Sequence, residues 1–208
     1  MTSSVTVHVP TKFKTTHTMT ETAKTHVSRV RNNDYYRYLH GDILDVGCGP
    51  DLLQVPNGTV TGWDLEDGDA QYLATVPDKR YDACHNSHLL EHVVDVPTTM
   101  KTFSRVIKDG GTVYSVVPSW SLYEKYQWPS RFNGDHKSSF DLIDCDRPTD
   151  HPHYNLNDMI RIGLEAGLTL VDARLVCDGY VWNQKDNKWW DVTRHGGLAQ
   201  CTFIFQKL

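Results

Sequence analysis

The stretch ILDVGCGPD, Ile43 to Asp51, constrains the fold of this chain more than any other. Ile43, Leu44 and Val46 set an apolar run around Asp45, the pattern of a short buried strand. Gly47 and Gly49 follow at once, with Cys48 between them. Glycines directly after a strand let the backbone turn tightly and let a ligand lie close against the main chain.

The rest of the chain continues that beginning. Residues 22–39 predict a helix ending near Gly41, and the strand around Asp45 covers 42–46. TVTGWD (59–64) reads as a second strand that ends in an acid, Asp64, and RYDACHNS (80–87) as a third. His88 to Val93 forms a short helix. Pro97 starts another, with Met100, Phe103, Val106 and Ile107 on one face and Asp109-Gly110-Gly111 as its stop. TVYSVVP (112–118) is a strand, whereas 119–154 keep no period and read as a long loop or lid. Asn155 caps a helix over 156–166, with Leu156, Met159, Ile160 and Leu164 inward and Gly167 as its end. The segments 168–178 and 199–208 are the last two strands, joined by an aromatic loop at 179–198 that holds Trp182, Trp189 and Trp190. Strands alternating with helices imply an α/β fold with a parallel sheet, whose ligands bind at the carboxyl ends of the strands.

Bulk properties narrow the class. A length of 208 residues fits one domain with a sizeable core. No apolar run reaches membrane-spanning length, and the Thr-rich N-terminus lacks the apolar core of a secretory signal. A net charge of −5 argues against general affinity for nucleic-acid backbones. The 5 cysteines are odd in number, widely spaced and without a Cys-x-x-Cys pair, which fits a reduced, cytoplasmic chain. Oligomeric state has no signal in the sequence.

Leu52 stands where a dinucleotide fingerprint needs its third glycine, and no Gly-Lys-Ser/Thr of a P-loop is present. What fits is an acid before a Gly-Cys-Gly turn and a second acid closing the next strand. Asp64 can accept both hydroxyls of a ribose, and Asp45 can hold an ammonium group directly or through water. Gly47 and Gly49 allow an amino-acid moiety and a sugar to approach. These are the polar groups of S-adenosylmethionine.

ILDVGCG, the acid of GWDL, SHLLEHV and RVIKDGGTVYSVVP together resemble class I S-adenosylmethionine-dependent methyltransferases over about residues 40–118. GWDLEDGDAQYL, NSHLLEH and YEKYQWPSRFNGDHKSSF, which contain the motifs GDAQ, SHxLEH and PSRFNxDHK, are similar to a bacterial and phage subgroup often found near glycan-synthesis genes. The resemblance implies a Rossmann-like sheet flanked by helices with an antiparallel last strand, in a single domain over 1–208. Residues 1–40 would be an N-terminal extension, 119–154 a lid and 179–198 an aromatic loop. It implies S-adenosylmethionine as cofactor and extends the cofactor site to Cys48, Leu65, Asp69, Ala70, Asn86 and Ser87. Asp69 would meet the adenine amino group, with Ala70 beside it. Asn86 and Ser87 would line the wall near the adenosine and methionine.

On the acceptor side, Asp135-His136-Lys137 lies in the lid. Histidine titrates near neutral pH, so His136 suits a general base, with Asp135 to orient it. Tyr123 joins them as a catalytic candidate, and Tyr123 and Glu91 are the next bases to test after His136. Arg131 suits an anionic acceptor, and His88 is the other candidate substrate contact. Glu91 and His92 read as cap and packing for a helix. His85, His88 and His92 with Cys84, and Asp150, His151 and His153, lack a recognised ligand spacing, so no metal is expected. The leading reading is O- or N-methylation of a small molecule or glycan. A nucleic-acid or protein methyltransferase, and a non-catalytic S-adenosylmethionine-binding module, are the rivals.

Overall fold

The computed structural model describes residues 21–143, 148–181 and 191–208. Its main sheet has 6 strands, in the order β2-β1-β3-β4-β8-β7. They are β1 (Gly41–Val46), β2 (Gly58–Trp63), β3 (Tyr81–Ser87), β4 (Ile107–Pro118), β7 (Leu168–Val176) and β8 (Gln200–Lys207). The first four run parallel, and β8 is antiparallel to both β4 and β7. This is the expected Rossmann-like sheet, mostly parallel and with an antiparallel last strand. Two short strands, β5 (Ser139–Phe140) and β6 (His153–Tyr154), pair parallel in the segment that carried no sequence period.

Strand alternation divides the core. Leu44, Val46, Cys84 and Val113 pack on the face covered by α3 (Val96–Val106) and α4 (Leu156–Glu165). Ile43, Ala83, Tyr114 and Val116 pack on the other, with Tyr35, Tyr38 and Leu39 at and after α2 (Asp34–Arg37); α1 (Glu21–Arg31) precedes them. The helix expected over 22–39 is therefore two helices. Asn33 breaks it at φ 60°, a left-handed conformation that asparagine tolerates better than most residues.

Asp95 caps α3 through Thr98 N–H, and Met100, Phe103, Val106 and Ile107 are fully buried. The expected stop at Asp109-Gly110-Gly111 is not one: Ile107 already pairs with Tyr81, and the glycines lie inside β4, where the register with β3 shifts. A Cβ on Gly111 would sit 2.8 Å from the Lys108 carbonyl oxygen, so this irregularity demands glycine. Asn155 does cap α4, in a reciprocal pair with Asp158. Its inward face differs from expectation. Met159 and Ile162 are buried, whereas Leu164 is 61% exposed and Ile160 lies at the surface. Gly163 sets this rotation by lying against the Phe205 ring, where a Cβ would come within 2.6 Å. Trp182, Trp189, Trp190 and Cys145 lie outside the described residues.

Candidate active site

Val46 is level with Trp63 on one side and with Asn86 on the other. Gly47 and Asp64 therefore leave the sheet together at its carboxyl edge, beside Ser87, the last residue of β3. Gly47 has φ 72° and donates its N–H to the Trp63 carbonyl at 2.8 Å; Gly49 has φ 54°. The Asp64 carboxylate accepts from Gly49 N–H at 2.6 Å and from Leu65 N–H at 2.7 Å. A Cβ at Gly49 would meet nothing within 4 Å, so open space lies above this turn. A Cβ at Gly47 would stand 3.1 Å from Leu89 Cδ1, which ties the turn to the segment after β3. Cys48 is half-buried and lies under β2, its Sγ 2.8 Å from where a Cβ on Gly62 would be. Burial, with Asp45 and Asp64 nearby, pushes its thiol pKa up.

Asp69 is exposed and accepts from Gln71 N–H, while Ala70 packs against the core and Leu65 is 91% exposed. Asn86 is buried and donates to Ser115 Oγ at 2.9 Å. Its Oδ1, and the Ser87 Oγ beside it, are buried without a hydrogen-bond partner.

Asp45 is buried just behind this edge. One oxygen accepts from His85 Nδ1 at 2.6 Å and the other from Leu53 N–H at 2.7 Å. Behind His85, Arg29 donates to Nε2 at 2.9 Å from a position with no exposure. A guanidinium cannot accept, so Nε2 is the acceptor and the proton sits on Nδ1, making His85 neutral. Burial pulls the His85 pKa down, overcoming the Asp45 carboxylate. Burial opposes ionisation of Asp45 too, but His85 and the Leu53 N–H hold its carboxyl below the usual range. Both carboxylate oxygens thus bond within the protein, which fixes Asp45 behind the turn as the bonds to Gly49 and Leu65 fix Asp64 at its rim.

A second cluster of side chains is assembled by the 119–154 segment. Lys137 N–H donates to the Glu91 carbonyl at 2.7 Å, which carries His136 onto the 3-10 turn Leu90–His92 that follows β3. His136 is 8% exposed, and its Nδ1 lies 2.6 Å from Glu124 Oε1. Glu124, not Asp135, orients the imidazole. The Asp135 carboxylate is exposed and faces His92 Nδ1 at 3.2 Å. The Tyr123 ring lies 5.9 Å from His136 and 5.5 Å from Phe132, and burial beside acidic groups raises its pKa. Arg131 is exposed. His88 Nδ1 is 3.3 Å from Glu91 Oε1 and its Nε2 is 3.3 Å from Gln200 Oε1. Burial would lower the His88 pKa, but Glu91 and then Glu21 lift it; burial likewise opposes the Glu91 charge, and the surrounding His88, His136 and His92 outweigh it.

Glu124 gave no sequence signal, since it sits 12 residues before its histidine in an aperiodic segment. Glu91 and His92 were visible in SHLLEH but read as a helix cap. The pairing of Arg29 with His85 spans 56 residues, with no motif to announce it.

Residues 16–173 match the methyltransferase-domain family. No curated protein matches the chain in sequence. A Haloferax volcanii protein, named as a methyltransferase and solved in complex with the Trm112 methyltransferase activator, is 13% identical with a TM-score of 0.55, over 88% of this chain and 93% of its own. An S-adenosylmethionine-dependent methyltransferase from Thermotoga maritima is 13% identical with a TM-score of 0.52, over 88% of this chain and 100% of its own. One from Methanosarcina mazei is 16% identical with a TM-score of 0.50, over 83% and 96%. At such identities these structures speak for the fold. The family match covers most of the chain, which therefore belongs to the methyltransferase-domain family, with S-adenosylmethionine as its expected methyl donor.

Proposed function

We propose that this protein methylates an oxygen or nitrogen of a small molecule or glycan-type acceptor, held under the 119–154 lid. The open space over Gly49, the Asp64 carboxylate at its rim and the unpartnered Asn86 Oδ1 and Ser87 Oγ fit the sugar, amino and carboxylate groups of S-adenosylmethionine. When bound, that cofactor supplies a methyl group on a positively charged sulfur, an activated donor. The chain's own work is then to align the acceptor, keep water out and receive any proton the acceptor gives up. Asp64 binds the ribose, and Gly47 and Gly49 let the ligand reach the main chain. Asp69 and Ala70 flank the adenine, near Leu65 and Cys48. His136, with Glu91 and His92, meets the acceptor, with Tyr123 as one wall and His88 and Arg131 as further contacts.

The burial of His136 carries the acceptor class. At 8% exposure, a group docked to Glu91 through the main chain is reached by a small molecule or a chain end. It does not offer the open, basic surface that a nucleic acid needs, and the net charge of −5 points the same way. The likeness to the bacterial and phage subgroup supports a glycan-type acceptor. Among the described residues no helix is long and apolar enough to cross a membrane. The test is transfer of labelled methyl from S-adenosylmethionine into separate pools of small metabolites, sugar nucleotides and oligosaccharides, nucleic acids and proteins. Label in the first two classes is the expected outcome. Label confined to nucleic acid or protein defeats the acceptor assignment, and no binding of S-adenosylmethionine defeats the reading as a whole.

A further inference from the structure

The lid brings together three side chains whose ligand atoms all lie within 4.8 Å of one another: Glu91, His92 and His136. Glu91 is 1% exposed, and both its carboxylate oxygens are buried without a hydrogen-bond partner. The nearest cationic candidate, His88 Nδ1, stands at 3.3 Å from Oε1 without completing a hydrogen bond. A buried carboxylate in this condition is costly unless a positive charge faces it.

The two histidines are held in a matching way. His136 Nδ1 meets Glu124 Oε1 at 2.6 Å, and His92 Nδ1 meets Asp135 Oδ2 at 3.2 Å. Carboxylates accept from Nδ1–H, which leaves Nε2 of each ring with a lone pair. His92 Nε2 lies 3.9 Å from Glu91 Oε1, and the two rings are edge to face at 4.9 Å. An imidazole whose far nitrogen is fixed by a carboxylate is the usual outer support of a metal-ligating histidine.

We propose that Glu91, His92 and His136 hold a divalent first-row transition-metal ion, with Glu124 and Asp135 as positioning residues. Two neutral imidazoles and one carboxylate suit zinc, manganese or cobalt. Ligand bonds of about 2 Å place donors roughly 3.3 Å apart in a tetrahedron, so the side chains close slightly around the ion. Three protein ligands leave positions open for oxygen atoms of an acceptor, such as neighbouring hydroxyls or a hydroxyl beside a carboxylate. This role for the ion rests on the methyl-transfer reading; the binding of the ion does not. With the ion bound, His136 is a ligand, and an acceptor hydroxyl meets the ion in place of a free imidazole.

The experiment strips the full-length protein with a chelator, removes the chelator, and titrates Zn²⁺ by calorimetry and Co²⁺ by visible absorption. The expected result is saturable binding of about one ion per chain, with Glu91→Gln and His92→Ala each weakening it by at least about tenfold and Glu124→Gln by about tenfold. His151→Ala, in the separate Asp150–His151 pair, should bind as wild type. Absence of saturable Zn²⁺ and Co²⁺ binding, or wild-type affinity in Glu91→Gln, overturns the proposal. S-adenosylmethionine binding, measured on the same stripped samples, separates the two ideas. Cofactor binding without metal binding leaves methyl transfer standing and removes the metal site.

Discussion

The backbone N–H of Gly49 donates to the Asp64 carboxylate at 2.6 Å, across 15 residues of chain. This bond joins the turn after β1 to the acid after β2 and adds to the Gly47 N–H bond to the Trp63 carbonyl, so the two halves of the expected cofactor cradle are set against each other. Asp64 is anchored through its oxygens to Gly49 and Leu65, which fixes where it can meet a ribose. Asp64→Ala should weaken S-adenosylmethionine and S-adenosylhomocysteine alike, by about 1.5–3 kcal/mol, the scale for lost charge-assisted hydrogen bonds. Calorimetry measures it, and wild-type affinity in the variant would place the ribose elsewhere.

The two glycines of the turn should respond differently to enlargement. Both have positive φ, so any side chain brings backbone strain of about 1–2 kcal/mol. At Gly49 the added atoms enter open space, whereas at Gly47 they press on Leu89. Gly49→Val should therefore stay folded and lose cofactor binding. Gly47→Val should lose binding and also melt earlier, because Leu89 leads into the turn that holds Glu91. Thermal melting and calorimetry on the two proteins check this. A Gly49→Val protein that binds cofactor normally reduces ILDVGCG to an ordinary strand-to-helix turn.

A pH dependence follows from the buried line Asp45–His85–Arg29. The folded His85 pKa is depressed, so on acidification the unfolded chain takes up a proton at about 6.5 before the folded one does. Its contribution is whole above that pH and declines below it, by up to about 1.4 kcal/mol per pH unit. Asp45, also depressed, adds to the decline only at lower pH, as its folded carboxyl protonates. His88 has the opposite sign: its raised pKa stabilises at low pH, and this is lost as pH rises through it. Comparing wild type with His85→Asn isolates the first effect. The variant should be less stable at pH 7, by about 1–3 kcal/mol for the hydrogen-bond partner Arg29 loses. It should also show a shallower loss of stability between pH 6.5 and 5. Equal slopes in chemical denaturation would mean that His85 is charged in the fold.

Much of the sheet was legible because each strand carries its own local pattern: β1, β2 and β3 begin and end within a residue or two of where the apolar runs do. The elements that went astray depend on partners distant in sequence. β4 starts at Ile107 because Tyr81 pairs there, and α4 turns its Ile162 inward because Gly163 rests on Phe205. In the site the same division holds. The glycine turn and Asp64 stand out because adjacent residues form them. The pairing of Asp45 with His85, and of His85 with Arg29, has no local signal because the three lie on different elements. Glu124 stayed hidden because an acid in an aperiodic segment announces nothing until the chain folds it against His136.

The last prediction concerns that pair. Glu124 holds His136 Nδ1, and the imidazole is carried to Glu91 by the Lys137 and Ser138 N–H groups. His136→Ala should leave S-adenosylmethionine affinity nearly unchanged and cut turnover by roughly 100-fold or more, the scale for losing a group that handles the acceptor's proton itself or holds the ion that meets the acceptor. Asp135→Asn should cost less than that, since its exposed carboxylate faces His92 at 3.2 Å and does not carry His136. Glu124→Gln should cost more than Asp135→Asn, because the amide puts a weaker, uncharged partner against Nδ1. The order of turnover, measured on an identified acceptor at saturating cofactor, is thus wild type, Asp135→Asn, Glu124→Gln, His136→Ala. A reversal of the two middle variants would return the orienting role to Asp135. Full turnover by His136→Ala would move the acceptor chemistry to Tyr123 or Glu91, leaving the cofactor half of the site as described.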